Sequence, residues 1–314
     1  MPGVFLVVLV VLTALLSGCA TQSRLLLQSA PADLPRRQEL SATPFFPQER
    51  YQCGPAALAT ALQAAGLEAT PEALVSQVYV PARKGSLQTE MLAAGRRNGA
   101  LAATIPPRLD ALLREVAAGT PVVVLQNLSL PIYPMWHYAV VIGYDLDAGE
   151  ILLRSGTIRR LRTPLSTFEH TWARSGYWAM VALPPGQLPT TASEDSVVPA
   201  VVALEKTLEP EQLQQTYDAA LQRWPDNLVL QLGLGNSAYA AGNLQLAASA
   251  FRRAVAAHPD SAPALNNLAT VLAELGDYPA ARAAAERAVA LGGRWADVAR
   301  ATLDAVDRAH TSGN

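Results

Sequence analysis

A spacing of 34 residues recurs through the second half of the chain. Pro225 and Pro259 are separated by this distance, and small or apolar residues repeat with it in four registers. The registers are Leu213, Ala247 and Ala281; Tyr217, Phe251 and Ala285; Ala220, Ala254 and Ala288; and Val201, Gly235 and Ala269. A fixed period of this length is typical of stacked supersecondary units that bury their apolar faces against one another. The period therefore favours a stack of helical repeats over a plain helical bundle.

Repeats of 34 residues with small contact positions and a proline at the boundary resemble the tetratricopeptide repeat. We assign an all-α repeat domain to residues 197–314, with an amphipathic segment from Trp295 to Ala309 that caps the stack. The resemblance implies a concave groove that binds a peptide or a protein partner. It implies no catalytic residues in this part of the chain.

The first half is organised around a cysteine at the start of a predicted helix. Residues 56–65 are mostly strong helix formers, and Gly66 is a natural stop. Pro55 suits the first turn, so Cys53 falls at the helix N-terminus. Free N–H groups and the helix dipole favour an anion there, which predicts a lowered thiol pKa and a nucleophilic thiolate. The amide of Gln48, five residues upstream, could donate to a developing oxyanion.

The best candidate for a general base is His137, in a strand predicted from Met135 to Tyr144. The chain has four histidines, and two of them fall in the repeats. His170 is the remaining rival and lies in a helix predicted from Leu165 to Arg174. The small side chains that share the face of His137 leave room for its imidazole to meet another element.

Three segments together resemble the cysteine peptidase domain of bacteriocin-leader-processing peptidases, which belong to the papain-like superfamily. They are Gln48, the run Cys53-Gly54-Pro55-Ala56, and the run Trp136-His137-Tyr138-Ala139-Val140-Val141-Ile142-Gly143-Tyr144-Asp145. The resemblance covers residues 44–183. It implies an α+β papain-like domain in which a helical part carries Cys53 and an antiparallel sheet carries His137. It also implies peptide-bond hydrolysis with Cys53 as nucleophile, His137 as base and Gln48 as oxyanion donor, without metal or cofactor.

The residue that orients the histidine is less evident. In the resembled family a carboxylate on the next strand does so, but here that position reads Ser155-Gly156. Ser155, Asp145 and Asn127 are the three candidates. The site is therefore a dyad, a triad with a relocated partner, or a domain that has lost activity.

The N-terminus predicts export and lipidation. Residues 4–16 are almost continuously apolar, and the run that ends at Cys19 resembles a lipoprotein cleavage box, although the first three residues carry no Lys or Arg. We predict a signal peptide over 1–18, acylation of Cys19 and a tether over 19–43. By resemblance to other lipoproteins, Ala20 in place of Asp after the cysteine implies the outer membrane, and we predict its periplasmic face. An ordinary secretory signal or a buried helix is the alternative. With Cys19 acylated, Cys53 is the sole thiol, which excludes an intramolecular disulfide and a structural zinc site.

Composition completes the prediction. Residues 184–196 read as a linker, and a formal net charge of −2 without a basic patch argues against nucleic acid as a partner. We predict a membrane-anchored periplasmic cysteine peptidase whose repeats recruit a peptide or protein partner. Two alternatives stay open: an inactive peptidase-like module that binds peptides, and an assembly or scaffold lipoprotein that acts through its repeats.

Overall fold

The computed structural model describes residues 21–47 and 52–312. It divides into two compact units. The first contains the described residues up to Pro184 together with Pro189–Ser196, and the second contains Pro185–Leu188 and the described residues from Val197 onward. None of the helices within the described ranges is both long and apolar enough to cross a membrane.

The first unit is built on a seven-stranded antiparallel sheet with the strand order β4-β9-β5-β6-β7-β8, in which β1 also pairs with β6. The strands are β1 (Arg37–Glu39), β4 (Leu101–Thr104), β5 (Val122–Asn127), β6 (Trp136–Asp145), β7 (Glu150–Ser155), β8 (Ile158–Pro164) and β9 (Ala179–Leu183). A separate two-stranded hairpin joins β2 (Tyr79–Val80) to β3 (Gly85–Ser86).

Six helices cover the two faces of this sheet. They are α1 (Thr21–Gln28), α2 (Cys53–Ala64), α3 (Pro71–Val78), α4 (Gln88–Arg97), α5 (Leu109–Ala117) and α6 (Leu165–Ala173). Alternate residues of β5 divide between two cores: Val123 and Leu125 pack with α2, α3 and α4, whereas Val122 and Val124 pack with α1, α5 and α6. The period-two alternation of a strand thus places α2 and its first residue against one face of the sheet.

The predicted helix signals are confirmed at both ends of α2. The run Thr70-Pro71-Glu72 likewise predicts a helix start with Thr70 as the cap, and α3 confirms it. Helix α2 begins at Cys53, and Gly66 follows it with a φ of +76°. The side chain of Thr70 accepts a hydrogen bond from the Ala73 backbone N–H and caps α3. The sequence predicts a helix that begins at Ser86. Helix α4 instead begins two residues later, at Gln88, because Ser86 pairs with Tyr79 in the hairpin.

The segment predicted as a tether over 19–43 is instead docked on the first unit from residue 21 onward, so that prediction is corrected. The fully buried carboxylate of Glu169 accepts hydrogen bonds from the backbone N–H groups of Gln22 (3.0 Å) and Ser23 (2.7 Å) at the start of α1. Strand β1 then adds to β6, with Arg37 opposite Asp145. These contacts use main-chain groups, which leave no periodic signal in the sequence.

The docked strand explains a glycine in β6. A Cβ on Gly143 would lie 2.5 Å from the carbonyl oxygen of Gln38 and 3.0 Å from Cα of Glu39. The β6–β7 register also shifts between Val141 and Gly143, as at a β-bulge. Only glycine permits this approach of β1.

The second unit consists of consecutive helices. They are α7 (Glu194–Ala203, whose first residues belong to the first unit), α8 (Pro210–Arg223), α9 (Leu228–Ala240), α10 (Leu244–Ala257), α11 (Ala262–Glu274), α12 (Tyr278–Leu291) and α13 (Ala296–Ser312). Helices α8, α10 and α12 begin 34 residues apart, as do α9 and α11. The Phe251 ring packs against Gly235, where an added Cβ would lie only 2.3 Å away. The predicted 34-residue period therefore describes real packing positions.

Part of the segment predicted as a linker has partners in the first unit. The buried carboxylate of Glu115 accepts hydrogen bonds from the Thr190 N–H (3.1 Å), and from the N–H and the hydroxyl of Thr191 (2.6 Å each). The Ser196 hydroxyl donates to the carbonyl oxygen of Thr104 at 2.7 Å. Residues 189–196 are thus held by the first unit.

Candidate active site

Cys53 is the first residue of α2 and carries a free, partly buried thiol. Backbone N–H groups of Tyr138, Gly54 and Cys53 itself interact with the thiol and favour its ionised form, but burial has the larger effect and raises the pKa of Cys53 above its ordinary value of 9.0. The sequence predicts a lowered thiol pKa from the helix N-terminus, and this prediction is wrong. The reason is that α2 is almost completely buried, so the thiol loses more hydration than the N–H groups replace.

His137 lies near the start of β6, directly before Tyr138. Its Nε2 is 2.9 Å from the hydroxyl oxygen of Ser155, the last residue of the neighbouring strand β7. Burial lowers the pKa of the imidazole below its ordinary value of 6.5. The lowered pKa favours a neutral ring near pH 7. Because Nε2 contacts Ser155, Nδ1 is the ring nitrogen available to another partner.

Cys53 and His137 both line one cleft, which has a volume of about 1290 Å³. Two prolines in residues 127–134 predict a loop that forms a wall of the cleft. This loop, between β5 and β6, supplies part of the lining with Ser129, Ile132 and Tyr133. A raised thiol pKa beside a lowered imidazole pKa means that both groups rest in their neutral forms. An imidazole in this state can accept the thiol proton when the sulfur attacks.

Of the three candidates for orienting His137, only Ser155 contacts it. Asp145, at the far end of β6, accepts hydrogen bonds from the backbone N–H groups of Asp147 and Ala148 and forms an ion pair with Arg37. The buried Asn127 uses its Oδ1 to accept from the N–H groups of Ser129 and Met135.

The rival histidine does not line the cleft. His170 is half-buried on α6, and its Nδ1 lies 2.6 Å from the carbonyl oxygen of Ser166, one turn earlier in the helix. Gln48, the predicted oxyanion donor, falls in residues 48–51, outside the described residues. Cys19 and the predicted signal peptide over 1–18 also lie outside them. Across residues 21–47 and 52–312, no three His, Cys, Asp or Glu side chains are grouped closely enough to hold a metal ion.

The structure adds a residue that the sequence did not indicate. Ser86 lines the cleft beside α2, and its buried hydroxyl oxygen lies where a Cβ on Gly54 would be only 2.1 Å away. The Tyr138 hydroxyl donates to the Ser86 carbonyl at 3.2 Å and so joins the β2–β3 hairpin to β6. The glycine after the cysteine was the available signal, because it marks a close approach of another element.

The buried Arg154 joins the histidine side of the site to the segment before α2. It precedes Ser155 and donates to the carbonyl oxygens of Ser41 (3.1 Å), Thr43 (2.8 Å) and Arg159. Burial lowers the pKa of its guanidinium. The strand that carries Ser155 is therefore fixed by main-chain contacts on both sides.

Comparison with known proteins agrees with this division of the chain. Residues 40–180 match the Peptidase_C39 like family, and residues 232–299 match the tetratricopeptide repeat. Among solved structures, the chain is similar to a C39-like peptidase from Bacillus anthracis, with 19% identity and a TM-score of 0.40 over 47% of this chain and 97% of that chain. It is also similar to MamA MSR-1 C2, with 15% identity and a TM-score of 0.28 over 39% of this chain and 82% of that one. No curated protein matches the chain.

Both predicted resemblances are confirmed at the level of the domains. The first unit contains an α+β C39-like peptidase domain. The second contains a region of tetratricopeptide repeats built from consecutive helices.

Proposed function

We propose, from a C39-like peptidase domain whose cleft is lined by a thiol and an imidazole, that this chain is a cysteine peptidase. The single observation that carries the proposal is the cleft shared by Cys53 and His137, with Nε2 of the histidine held 2.9 Å from Ser155. The family match supports a peptide substrate. The reaction needs no metal or organic cofactor.

The proposed reaction begins when the Cys53 sulfur attacks the carbonyl carbon of the scissile bond. Because Nε2 contacts Ser155, Nδ1 of His137 accepts the thiol proton as the carbon–sulfur bond forms. The backbone N–H of Cys53 and the side-chain amide of Gln48 donate to the oxyanion. His137 then protonates the leaving amine, and a water molecule that His137 deprotonates hydrolyses the thioester.

Ser155 serves this cycle by holding the imidazole through Nε2. When its hydroxyl oxygen accepts the Nε2–H hydrogen bond, the proton resides on Nε2 and the lone pair on Nδ1 is free to act as a base. A serine carries no charge, so it orients the ring without stabilising the imidazolium that forms in the transition state.

The neutrality of Ser155 favours a second candidate function, a peptidase-like module that binds peptides without cleaving them. In that case the cleft keeps its binding surface, and the thiol with a raised pKa stays unreactive. The two functions differ in whether covalent chemistry occurs at Cys53.

The deciding experiment is digestion of a peptide library by the full chain, with products identified by mass spectrometry. Cleavage that is lost in Cys53→Ala and in His137→Ala, but kept in the matched control His170→Ala, supports the peptidase. In parallel, a thiol-directed peptide probe should label the wild type and fail to label Cys53→Ala. Binding of peptides without cleavage or labelling would instead establish the binding module.

We further propose that the repeats bind a peptide or protein partner and that Cys19 anchors the chain by a lipid, on the periplasmic face of the outer membrane. A repeat domain joined to a peptidase raises the effective concentration of a bound substrate at the cleft. Growth with a clickable fatty acid tests the anchor: the wild type should carry the label and sediment with membranes, and Cys19→Ser should do neither. A labelled Cys19→Ser protein would refute lipidation at this residue.

A further inference from the structure

We propose, resting on the proposed peptidase function, that the cleft selects peptide segments in which an acidic side chain lies near large apolar side chains. Two features of the cleft wall lead to this substrate class. One is an exposed apolar loop, and the other is a set of basic side chains, with no acidic side chain among the described lining residues.

The apolar surface covers the loop from β5 to β6 and continues into Trp136, the first residue of β6, directly before His137. It presents large side chains to solvent, including Ile132 with 77% and Tyr133 with 76% of the surface exposed. Leu130, Met135 and Trp136 are also exposed. A contiguous exposed apolar surface of this kind is unusual in a folded domain and marks a binding site.

The loop is held in place at its base, so its apolar side chains form a fixed wall. The Leu128 N–H donates to the Met135 carbonyl at 2.9 Å, and Asn127 Oδ1 accepts from the N–H groups of Ser129 and Met135. The Arg174 guanidinium donates to the carbonyl oxygens of Asn127 (3.1 Å) and Ser129 (2.8 Å).

The charged part of the cleft wall is entirely cationic over the described lining residues. It contains Arg83, Lys84 and Arg174 and no Asp or Glu. Arg83 and Lys84 are exposed, and neither takes part in the ion pairs that we find between described residues. Arg174 meets only carbonyl oxygens there, so its charge is not neutralised. Like charges along one cleft add to a field that attracts anionic groups.

The occupant that fits both features is a polypeptide. The loop is continuous with the strand that carries His137. Lys84 is two residues from Ser86, which lies against Gly54 at the start of α2. A chain that crosses the thiol–imidazole pair therefore passes the apolar and the cationic walls of the same cleft. In such a chain, carboxylates can approach Arg83 and Lys84 while apolar side chains pack on the loop. This occupant therefore fits both the cationic and the apolar wall.

The test measures binding separately from catalysis. Fluorescent peptides of one length, each with a central Leu-Phe pair flanked by Glu or by Lys, are titrated into full-length Cys53→Ala and followed by anisotropy. We expect the Glu peptide to bind about tenfold more tightly than the Lys peptide, because each exposed ion pair contributes modestly and several act together. The preference should shrink as salt is raised. Equal affinities for the two peptides would overturn the proposal.

Matched variants show which residues cause the preference for the Glu peptide. Adding Arg83→Glu/Lys84→Glu to Cys53→Ala should remove the preference for the Glu peptide. Arg252→Glu/Arg253→Glu makes the same change in net charge on the exposed face of α10 and should leave the preference unchanged. Loss of binding in the second variant alone would assign the peptide to the repeats and refute the proposal. Ile132→Ser/Tyr133→Ser should weaken binding of both peptides about equally.

Two outcomes separate this inference from the proposed function. If the Glu preference holds in Cys53→Ala but the wild type cleaves neither peptide, recognition is supported and the peptidase is not. If the wild type cleaves both peptides with equal kcat/KM, the peptidase stands and the substrate class is refuted. Vesicles of anionic phospholipid serve as a further probe: vesicle binding that requires Ile132 and Tyr133, without peptide binding, would identify the loop as a membrane contact and overturn the proposal.

Discussion

At the scale of single residues, Ser155 is the candidate orienting residue that contacts His137. Its hydroxyl contacts Nε2 of His137 at 2.9 Å, whereas Asp145 and Asn127 are engaged elsewhere. A hydroxyl holds the ring in place but leaves an imidazolium without a counter-charge. The strength of the base is therefore set mainly by burial.

Substitutions at Ser155 distinguish the orientation of the His137 imidazole from the effect of a negative charge beside it. We expect Ser155→Ala to lower kcat/KM about 10- to 100-fold, because the imidazole loses its orienting partner. Ser155→Asp should raise the pKa of His137 and move the acid limb of the pH–rate profile to higher pH, since a carboxylate stabilises the imidazolium. A purely structural role for Ser155 would lower the activity of both variants without moving the limb.

The pKa directions at the site predict the pH dependence of the wild type. His137 must be neutral to accept the thiol proton, and burial lowers its pKa below 6.5, so the acid limb of kcat/KM should have its midpoint below pH 6.5. Burial also raises the pKa of Cys53, so the rate of alkylation by iodoacetamide should keep rising beyond pH 9.0. An alkylation rate that levels off at acidic pH would contradict this and indicate a thiolate–imidazolium pair.

The same imidazole links stability to pH. Because its folded pKa lies below the unfolded value of about 6.5, the unfolded chain binds more protons in the range between the two pKa values. The contribution of His137 to stability is thus complete above pH 6.5 and is lost as the pH falls towards the folded pKa. Urea titrations of the wild type and of His137→Gln should diverge from each other below pH 6.5, with the steeper loss in the wild type.

At the scale of elements, the docking of β1 on β6 depends on one glycine. An alanine at Gly143 would press its methyl group against the backbone of Gln38 and Glu39. We expect Gly143→Ala to cost about 1–3 kcal/mol of unfolding free energy, and to speed hydrogen exchange at the amides of residues 37–39 more than elsewhere. Gly85→Ala is the matched control, because its new methyl group would meet only the Arg83 carbonyl, at 3.8 Å. Equal destabilisation by the two changes would contradict the proposed role of close approach.

The elements that the sequence predicts well are those specified by local chemistry. Helix α2 follows from Pro55 and Gly66, helix α3 from the Thr70 cap, and the repeat helices from small residues at a fixed period. The pairing of Cys53 and His137 in one cleft follows from motif order. By contrast, strand β1 is a short run of charged and polar residues, and its place depends on main-chain pairing with a strand about a hundred positions later.

Other features of the site could not be read from the sequence because they depend on burial in the finished fold. The helix N-terminus at Cys53 predicts a lowered thiol pKa, but the surroundings of α2 reverse the direction. Likewise, three side chains could have oriented His137, and only the β6–β7 pairing selects Ser155. Local motifs identify which groups meet, whereas the tertiary packing decides their protonation.

At the scale of the whole molecule, the boundary between the C39-like domain and the repeats does not coincide with the change in composition at residue 184. All described residues that line the cleft lie between Cys53 and Ser175, in the first unit. Residues 189–196 also belong to this unit, through Glu115 and Thr104. We infer that the peptidase domain ends after Ser196 and that the repeats are not required for its fold.

Two truncations test this boundary. A chain that ends at Ser196 keeps every hydrogen bond to Glu115 and should cleave short peptides with the kcat/KM of the full chain. A chain that ends at Leu188 leaves the buried Glu115 carboxylate without Thr190 and Thr191, and we expect it to lose about 2–4 kcal/mol of unfolding free energy. Adding Glu115→Met to the shorter chain should recover most of this loss, because no buried charge then lacks a partner. If the substitution fails to recover it, residues 189–196 stabilise the domain by contacts other than the carboxylate. If the Ser196 chain does not fold, the peptidase needs the repeats after all.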